Sequence, residues 1–305
     1  MFETMNRRKF LKTGSGLAIA PIINPAASSA SAMRTRPIPS SDEALPVIGL
    51  GTSRVFDVGG SASRRAALKP VLKALYDGGG TVVDSSPMYG SSEAVVGDLA
   101  QQLEIADRLF MASKVWTSGK QAGIEQMHDS MQLMHARPMD LMQVHNLIDT
   151  DTHLDTLREW KQQGLVRYIG ITHYHSGGFA EMLRVMQRHE LDFIQINYSI
   201  LEREADQKIL PLAQERGIAT LINRPYARGN VFSAVRGKPL PIWATEYDCH
   251  SWGQFFLKFV LAHPAVSCVI PGTSKLKHMQ DNLAAGRGRM PPEKERQRML
   301  AELAT

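Results

Sequence analysis

The stretch Leu109-Phe-Met-Ala-Ser-Lys114 is a short apolar run that ends on a lysine, and two other runs follow the same pattern. One is Thr81-Val-Val-Asp84, which ends on an aspartate, and the other is Asp140-Leu-Met-Gln-Val-His145, which ends on a histidine. Buried strands of parallel sheets read as near-continuous apolar runs of this length. In such sheets the residues at the strand C-termini converge on one face, where active sites are built.

The same alternation of apolar run and amphipathic segment continues from Pro46 onward. Eight strands are predicted, at residues 47–51, 81–84, 109–114, 140–145, 167–171, 192–197, 219–223 and 266–270. Helices are predicted behind them, at residues 64–77, 92–103, 123–135, 152–163, 177–189, 204–216 and 251–263, with an eighth beginning near residue 275. Eight strand–helix units predict an α/β protein folded as a single-domain (β/α)8 TIM barrel, followed by a short tail.

The first 32 residues have the three parts of an export signal. Asn6-Arg7-Arg8-Lys9-Phe10 matches the twin-arginine signature, and a mildly apolar stretch too short to span a membrane follows it. Ala30-Ser31-Ala32 then supplies a cleavage site. We therefore expect a twin-arginine (Tat) signal peptide at 1–32, a barrel at 33–305, engagement of the export machinery, and a periplasmic or otherwise exported protein. A disordered basic arm is the alternative.

The composition is that of an ordinary globular protein with a formal net charge of +5. Its basic residues are scattered, so the charge favours solubility over a nucleic-acid surface, and no nucleic-acid partner is expected. Cys249 and Cys268 have neither disulfide nor zinc-ligand spacing. His173 and His175 stand two apart without an evident third ligand, so no metal site is predicted.

Four residues at or near the strand ends form a proton-delivery set: Asp84, Tyr89, Lys114 and His145. A tyrosine has an ordinary pKa of about 10, and a nearby Lys114 ammonium is expected to pull that pKa down. Asp84 would pair with Lys114 and hold it in place, while His145 would donate a hydrogen bond to a substrate oxygen. The alternative is a structural ion pair beside two wall residues.

Seven short motifs occur in order along the chain: Gly49-Leu-Gly-Thr52, Asp84-Ser-Ser-Pro-Met-Tyr-Gly90, Ser113-Lys114, Val144-His145, Gly170-Ile-Thr172, Gln195-Ile-Asn-Tyr198 and Ile270-Pro-Gly-Thr-Ser274. In these motifs the chain resembles the aldo-keto reductases over about residues 46–283. The resemblance implies hydride transfer between a nicotinamide cofactor and an aldehyde or ketone, or the reverse oxidation of an alcohol. Tyr89 would be the acid, tuned by Lys114 and Asp84, and His145 would orient the carbonyl.

The resemblance also implies which residues bind the cofactor. These are Gly51, Thr52, Thr172, His173, Gln195, Asn223, Arg224, Gly272, Thr273, Ser274, Lys275, His278, Asp281 and Asn282. Thr172 and Gln195 would bind the nicotinamide carboxamide, and His173 replaces the asparagine that is usual at its position. NADP(H) is expected as the cofactor. NAD(H) stays a possible alternative, because His278 stands where family members that prefer the 2′-phosphate usually have an arginine.

The stretch after the seventh strand departs from the family pattern. Asn223 occupies the position of an aromatic residue that stacks on nicotinamide, unless Tyr226 substitutes for it. Arg224 replaces a hydroxyl residue and would contact the pyrophosphate as a bidentate cation, which should tighten cofactor retention.

Three rival functions stay open at this point. One is a non-catalytic protein that retains the nucleotide as a sensor or structural element, another is a metal-free barrel hydrolase or lyase, and the third is a nucleic-acid binder. Export adds a further expectation, since free nicotinamide cofactors are not expected outside the cytoplasm. The cofactor would be loaded before export, and a second substrate or an electron partner would recycle it.

Overall fold

The structure is a computed structural model that describes residues 32–304, and the predicted signal peptide lies outside the described residues apart from Ala32. Within this range the strands are β1 (Thr35–Pro37), β2 (Ala44–Pro46), β3 (Leu50–Gly51), β4 (Val82–Asp84), β5 (Phe110–Val115), β6 (Met139–His145), β7 (Val166–Thr172), β8 (Phe193–Asn197), β9 (Ala219–Asn223) and β10 (Cys268–Val269). The α-helices are α1 (Ala62–Asp77), α2 (Ser92–Gln102), α3 (Lys120–Leu133), α4 (Thr150–Gln162), α5 (Phe179–Arg188), α6 (Ile209–Glu215), α7 (Asn230–Ala234), α8 (Trp252–Leu261), α9 (Leu276–Ala285) and α10 (Arg296–Ala304).

Strands β3 to β10 form one parallel eight-stranded sheet in chain order. Parallel bridges from Ile48 to Val269 and from Gly51 to Gly272 close it into a barrel, which confirms the predicted fold. Closure needs a glycine in β3, because a Cβ on Gly51 would lie 2.7 Å from the carbonyl oxygen of Ile270. The barrel therefore brings the first and last strand ends side by side.

The strands alternate between the barrel interior and the helical coat, as the two-residue period of a strand requires. The lower interior is an apolar cluster that includes Phe110, Leu141, Tyr168 and Phe193. The next inward positions toward the strand C-termini are polar and buried, such as Lys114 two residues beyond Ala112. Outward side chains pack against the helices in a second, larger cluster. The buried polar side chains that face the barrel interior, such as Lys114, therefore lie toward the C-terminal ends of the strands.

Some parts of the architecture were not predicted from the sequence. The antiparallel hairpin β1–β2 adds Ile38 and Leu45 to the interior cluster, at the N-terminal ends of the strands. The loop after β9 contains α7, and the predicted tail contains α10. Arg296 of α10 donates to Asp206 at 2.9 Å, which ties this helix to the segment before α6.

No helix within residues 32–304 is long and apolar enough to cross a membrane.

Candidate active site

Asp84 and Lys114 form a buried ion pair at the C-terminal ends of β4 and β5. The Nζ of Lys114 donates to both carboxylate oxygens of Asp84 at 2.8 Å and to the carbonyl oxygen of Ser85 at 2.6 Å. The side chains of Lys114 and Asp84 are 0% and 4% exposed. A buried ammonium needs acceptors for its protons, and this site provides them. The pairing is the one expected from the sequence.

The charge state of Lys114 follows from two opposing effects. Burial pushes the pKa of Lys114 down, but Asp84, Tyr89 and Glu93 more than offset this, so the pKa lies above its ordinary value. Lys114 is therefore a fixed positive charge at neutral pH.

Tyr89 lies in the loop after β4 and faces both Lys114 and His145. The Nζ of Lys114 is 5.1 Å from the centroid of the Tyr89 ring, and the Tyr89 and His145 rings meet edge to face at 6.0 Å. Burial raises the pKa of Tyr89, and the smaller lowering by Lys114 does not reverse this. The net direction is opposite to the one expected from sequence, because the loop and the barrel mouth remove water from the phenol.

His145 is buried at the end of β6, between Tyr89 and Trp116, whose ring centroid is 6.5 Å away. Burial, then the charges of Lys114 and His173, lower the pKa of His145 to about 3. The imidazole is therefore neutral at neutral pH. Its Nδ1 lies 3.1 Å from the hydroxyl of Ser86. A neutral imidazole holds one proton, so it offers one donor and one acceptor.

Two glutamines connect the ion pair to the neighbouring strands. The Nε2 of Gln195 donates to Oδ1 of Asp84 at 2.7 Å, and the Nε2 of Gln143 donates to the same oxygen at 3.3 Å. Gln143 was not singled out from the sequence. Its signal was its place two residues before His145, on the same inward face of β6. Gln195 was predicted as a carboxamide ligand, and it also holds Asp84.

The predicted cofactor residues at the barrel seam lie close together because β3 and β10 are paired. Gly51 bridges to Gly272, and the side chain of Thr52 is fully buried and donates to the carbonyl oxygen of Asp84 at 3.0 Å. The hydroxyl of Thr273 accepts from the backbone N–H of Lys275 at 3.1 Å, just before α9.

The remaining predicted cofactor residues lie just before α9 or within it, and they fall into two groups. Ser274, Lys275 and His278 are exposed there. Asp281 and Asn282 instead have partners within the protein. Asp281 accepts from Ser251 at 2.8 Å and from Gln254 at 2.7 Å, and Asn282 accepts from the phenol of Tyr226 at 2.7 Å.

Asn223 is the last residue of β9, and the phenol of Tyr226, the predicted substitute for the stacking aromatic residue, donates to Oδ1 of Asn282 at 2.7 Å. The Nδ2 of Asn223 donates to the carbonyl oxygen of His173 at 3.2 Å and to Oε1 of Gln195 at 3.4 Å. Its buried Oδ1 has no hydrogen-bond partner among the described residues. Thr172 also donates to Oε1 of Gln195, at 3.3 Å. This cluster leaves an acceptor for an amide N–H of a bound group.

Arg224 bridges the loops that follow three strands. Its guanidinium donates to a carboxylate oxygen of Glu202 at 3.1 Å and to the carbonyl oxygen of Tyr174. Contact with a pyrophosphate stays a prediction.

Within residues 32–304 no cluster of three His, Cys, Asp or Glu side chains is arranged to hold a metal ion. Cys249 and Cys268 are both buried and free.

Comparisons with known proteins identify the family of this chain. Residues 47–297 match the model of the Aldo/keto reductase family. Methylglyoxal reductase YeaE of Escherichia coli (strain K12) is 25% identical over 252 residues, which cover 80% of this chain and 87% of that protein. An aldo-keto reductase from Klebsiella pneumoniae, solved in complex with NADPH, aligns with a TM-score of 0.70 at 23% identity, over 89% of this chain and 94% of that one. Aldo-keto reductase AKR11C1 from Bacillus halodurans aligns with a TM-score of 0.71 at 23% identity, over 90% and 97% of the two chains. The chain belongs to the aldo/keto reductase family.

Proposed function

We propose that this protein is an NAD(P)H-dependent oxidoreductase that reduces an aldehyde or ketone, or oxidises the corresponding alcohol in the reverse direction. The observation that carries the proposal is the convergence of Tyr89 and His145 around the fully buried Lys114–Asp84 pair. Burying a charged pair costs desolvation free energy, so such pairs are typical of functional sites. Here the Lys114 ammonium faces the phenol of Tyr89.

Tyr89 donates the proton to the carbonyl oxygen in the reductive direction. Its raised pKa keeps the phenol protonated before transfer, and the Lys114 ammonium stabilises the phenolate that transfer leaves behind. Asp84 keeps that ammonium in place, and Gln143 and Gln195 keep Asp84 in place. His145 is neutral and lies beside Tyr89, where it orients the same carbonyl oxygen.

The residues at the barrel mouth fit a nicotinamide dinucleotide. The unpartnered Oδ1 of Asn223 offers an acceptor beside Gln195 and Thr172, which suits a carboxamide N–H. The exposed Ser274 and Lys275 at the start of α9 suit a phosphate and favour NADP(H). When bound, the nicotinamide supplies the hydride.

The test is turnover of NADPH over a panel of carbonyl compounds that includes methylglyoxal, with Tyr89→Phe as the critical variant. We expect kcat to fall by about 10²- to 10⁴-fold in Tyr89→Phe while NADP⁺ affinity stays close to that of the unmodified chain. Tyr76→Phe, on α1, is the matched control and should keep its activity. Turnover that persists in Tyr89→Phe would refute the assignment. If the unmodified chain binds nucleotide tightly but turns over none of the carbonyl compounds, the result would favour a non-catalytic protein that retains the nucleotide.

We propose further that residues 1–32 direct export through the twin-arginine route. The supporting observation is the order of the paired arginines, the short apolar stretch and the small-residue site in the sequence. The test of export is a fusion of residues 1–32 to a reporter protein, compared with the same fusion carrying Arg7→Lys and Arg8→Lys. Cytoplasmic retention of the unmodified fusion would contradict it.

An exported enzyme of this kind would have to retain its cofactor and regenerate it in place, through a second substrate or an electron partner. Arg224, fixed between the loops by Glu202, is the residue proposed to slow cofactor release. The check is the NADP⁺ dissociation rate of Arg224→Ser, and an unchanged rate would end this proposal. Protein purified from the outer compartment without nucleotide would contradict loading before export.

A further inference from the structure

Ser86 is a buried residue of the loop after β4 that the proposed mechanism does not yet use. Its side chain is 0% exposed. Its hydroxyl oxygen accepts the backbone N–H of Met88 at 3.3 Å and lies 3.1 Å from Nδ1 of His145. Among the residues that the structure describes, the hydroxyl has no other partner. The direction of the Ser86–His145 hydrogen bond therefore decides where the imidazole holds its proton.

The two possible directions are unequal because a hydroxyl has a single proton. The N–H of Met88 is a donor only, so the Ser86 proton has one acceptor within reach, which is Nδ1 of His145. In the opposite arrangement Nδ1–H would donate to Ser86, and the serine proton would be buried without an acceptor. Leaving a buried donor unpaired is the costly outcome. The first direction is thus favoured.

We propose that Ser86 is a positioning residue that donates to Nδ1 of His145 and so holds the imidazole proton on Nε2. The ring is neutral, so an acceptor at Nδ1 requires the proton to be on the other nitrogen. Nε2 has no hydrogen-bond partner within residues 32–304, which leaves its N–H available to a carbonyl oxygen. The use of this N–H on a substrate rests on the proposed carbonyl reduction, whereas the tautomer itself does not.

The test is ¹⁵N NMR of the histidine-labelled protein at neutral pH, with the His145 signals assigned by their loss in His145→Gln. The unmodified chain should show the pattern of a protonated Nε2 and an unprotonated Nδ1. In Ser86→Ala the ratio of Nε2–H to Nδ1–H should fall by about fivefold, as expected from the loss of one net hydrogen bond. Ser86→Thr keeps a hydroxyl and should restore the original ratio.

Ser85→Ala is the matched control for the tautomer, because the hydroxyl of this neighbouring buried serine contacts Thr52 and not His145. It should leave the His145 signals unchanged. A protonated Nδ1 in the unmodified chain, or an unchanged ratio in Ser86→Ala, would overturn the inference. An Nε2–H signature in a protein that turns over no carbonyl compound would support the tautomer and refute only the proposed function.

Discussion

Replacement of Lys114 by methionine removes the positive charge from a buried ion pair of the barrel while keeping a long side chain. Asp84 would then keep its hydrogen bonds from Gln143 and Gln195 but lose the ammonium that neutralises it. Removing one partner of a buried pair destabilises a protein by about 3–5 kcal/mol, because an unpaired charge is left behind. Lys114 is 0% exposed, so solvent screening does not reduce this figure.

The double variant Lys114→Met with Asp84→Asn separates the charge effect from a loss of packing. If the unpaired carboxylate is the cause, the double variant should be more stable than the sum of the single variants by about 2–3 kcal/mol. Urea unfolding followed by circular dichroism at neutral pH measures all four proteins. At neutral pH the stability that the Lys114 charge contributes is fully present, because the pKa of Lys114 is raised in the folded protein. This stability is lost only as the pH rises above the ordinary lysine pKa of about 10.4.

The same four proteins also test the proposed catalytic use of the pair. Neither single variant nor the double variant should reduce carbonyl compounds at more than about 1% of the original rate. Lys114→Met removes the charge beside the Tyr89 phenolate, and Asp84→Asn removes the carboxylate that holds this charge in place. Strictly additive stability changes would refute the reasoning about the buried charge. Full activity in the stable double variant would refute the role of the pair in proton transfer.

Two further predictions concern stability. The pKa of His145 is lowered to about 3 in the folded protein, so the unfolded chain takes up a proton first as the pH falls below about 6.5. From pH 7 to pH 5 the unmodified chain should therefore lose about 2 kcal/mol of stability that His145→Gln does not lose, as measured by urea unfolding at both pH values. Gly51→Ala should destabilise the protein by about 1–3 kcal/mol, because the new Cβ would lie 2.7 Å from the carbonyl oxygen of Ile270 at the barrel seam. Gly60→Ala meets nothing within 4 Å and is the control, and equal thermal shifts of the two variants would contradict the seam explanation.

The sequence by itself determined the order of strands and helices and the end of the barrel at which Asp84, Lys114 and His145 lie. Local periodicity marks each strand, and the topology of a parallel barrel sends every strand C-terminus to one face. Those two facts need no knowledge of which side chains touch. The pairing of Asp84 with Lys114 followed, since they end adjacent strands.

Tertiary structure decided what depends on burial and on contacts between distant segments. The direction of the Tyr89 pKa was misjudged from sequence, because the nearby charge of Lys114 can be read from a motif but the removal of water cannot. The support of Asp84 by Gln143 and Gln195, and the contact of Ser86 with His145, join residues 59 or more positions apart. Such contacts are fixed by barrel closure and rotamer packing, which no local pattern encodes.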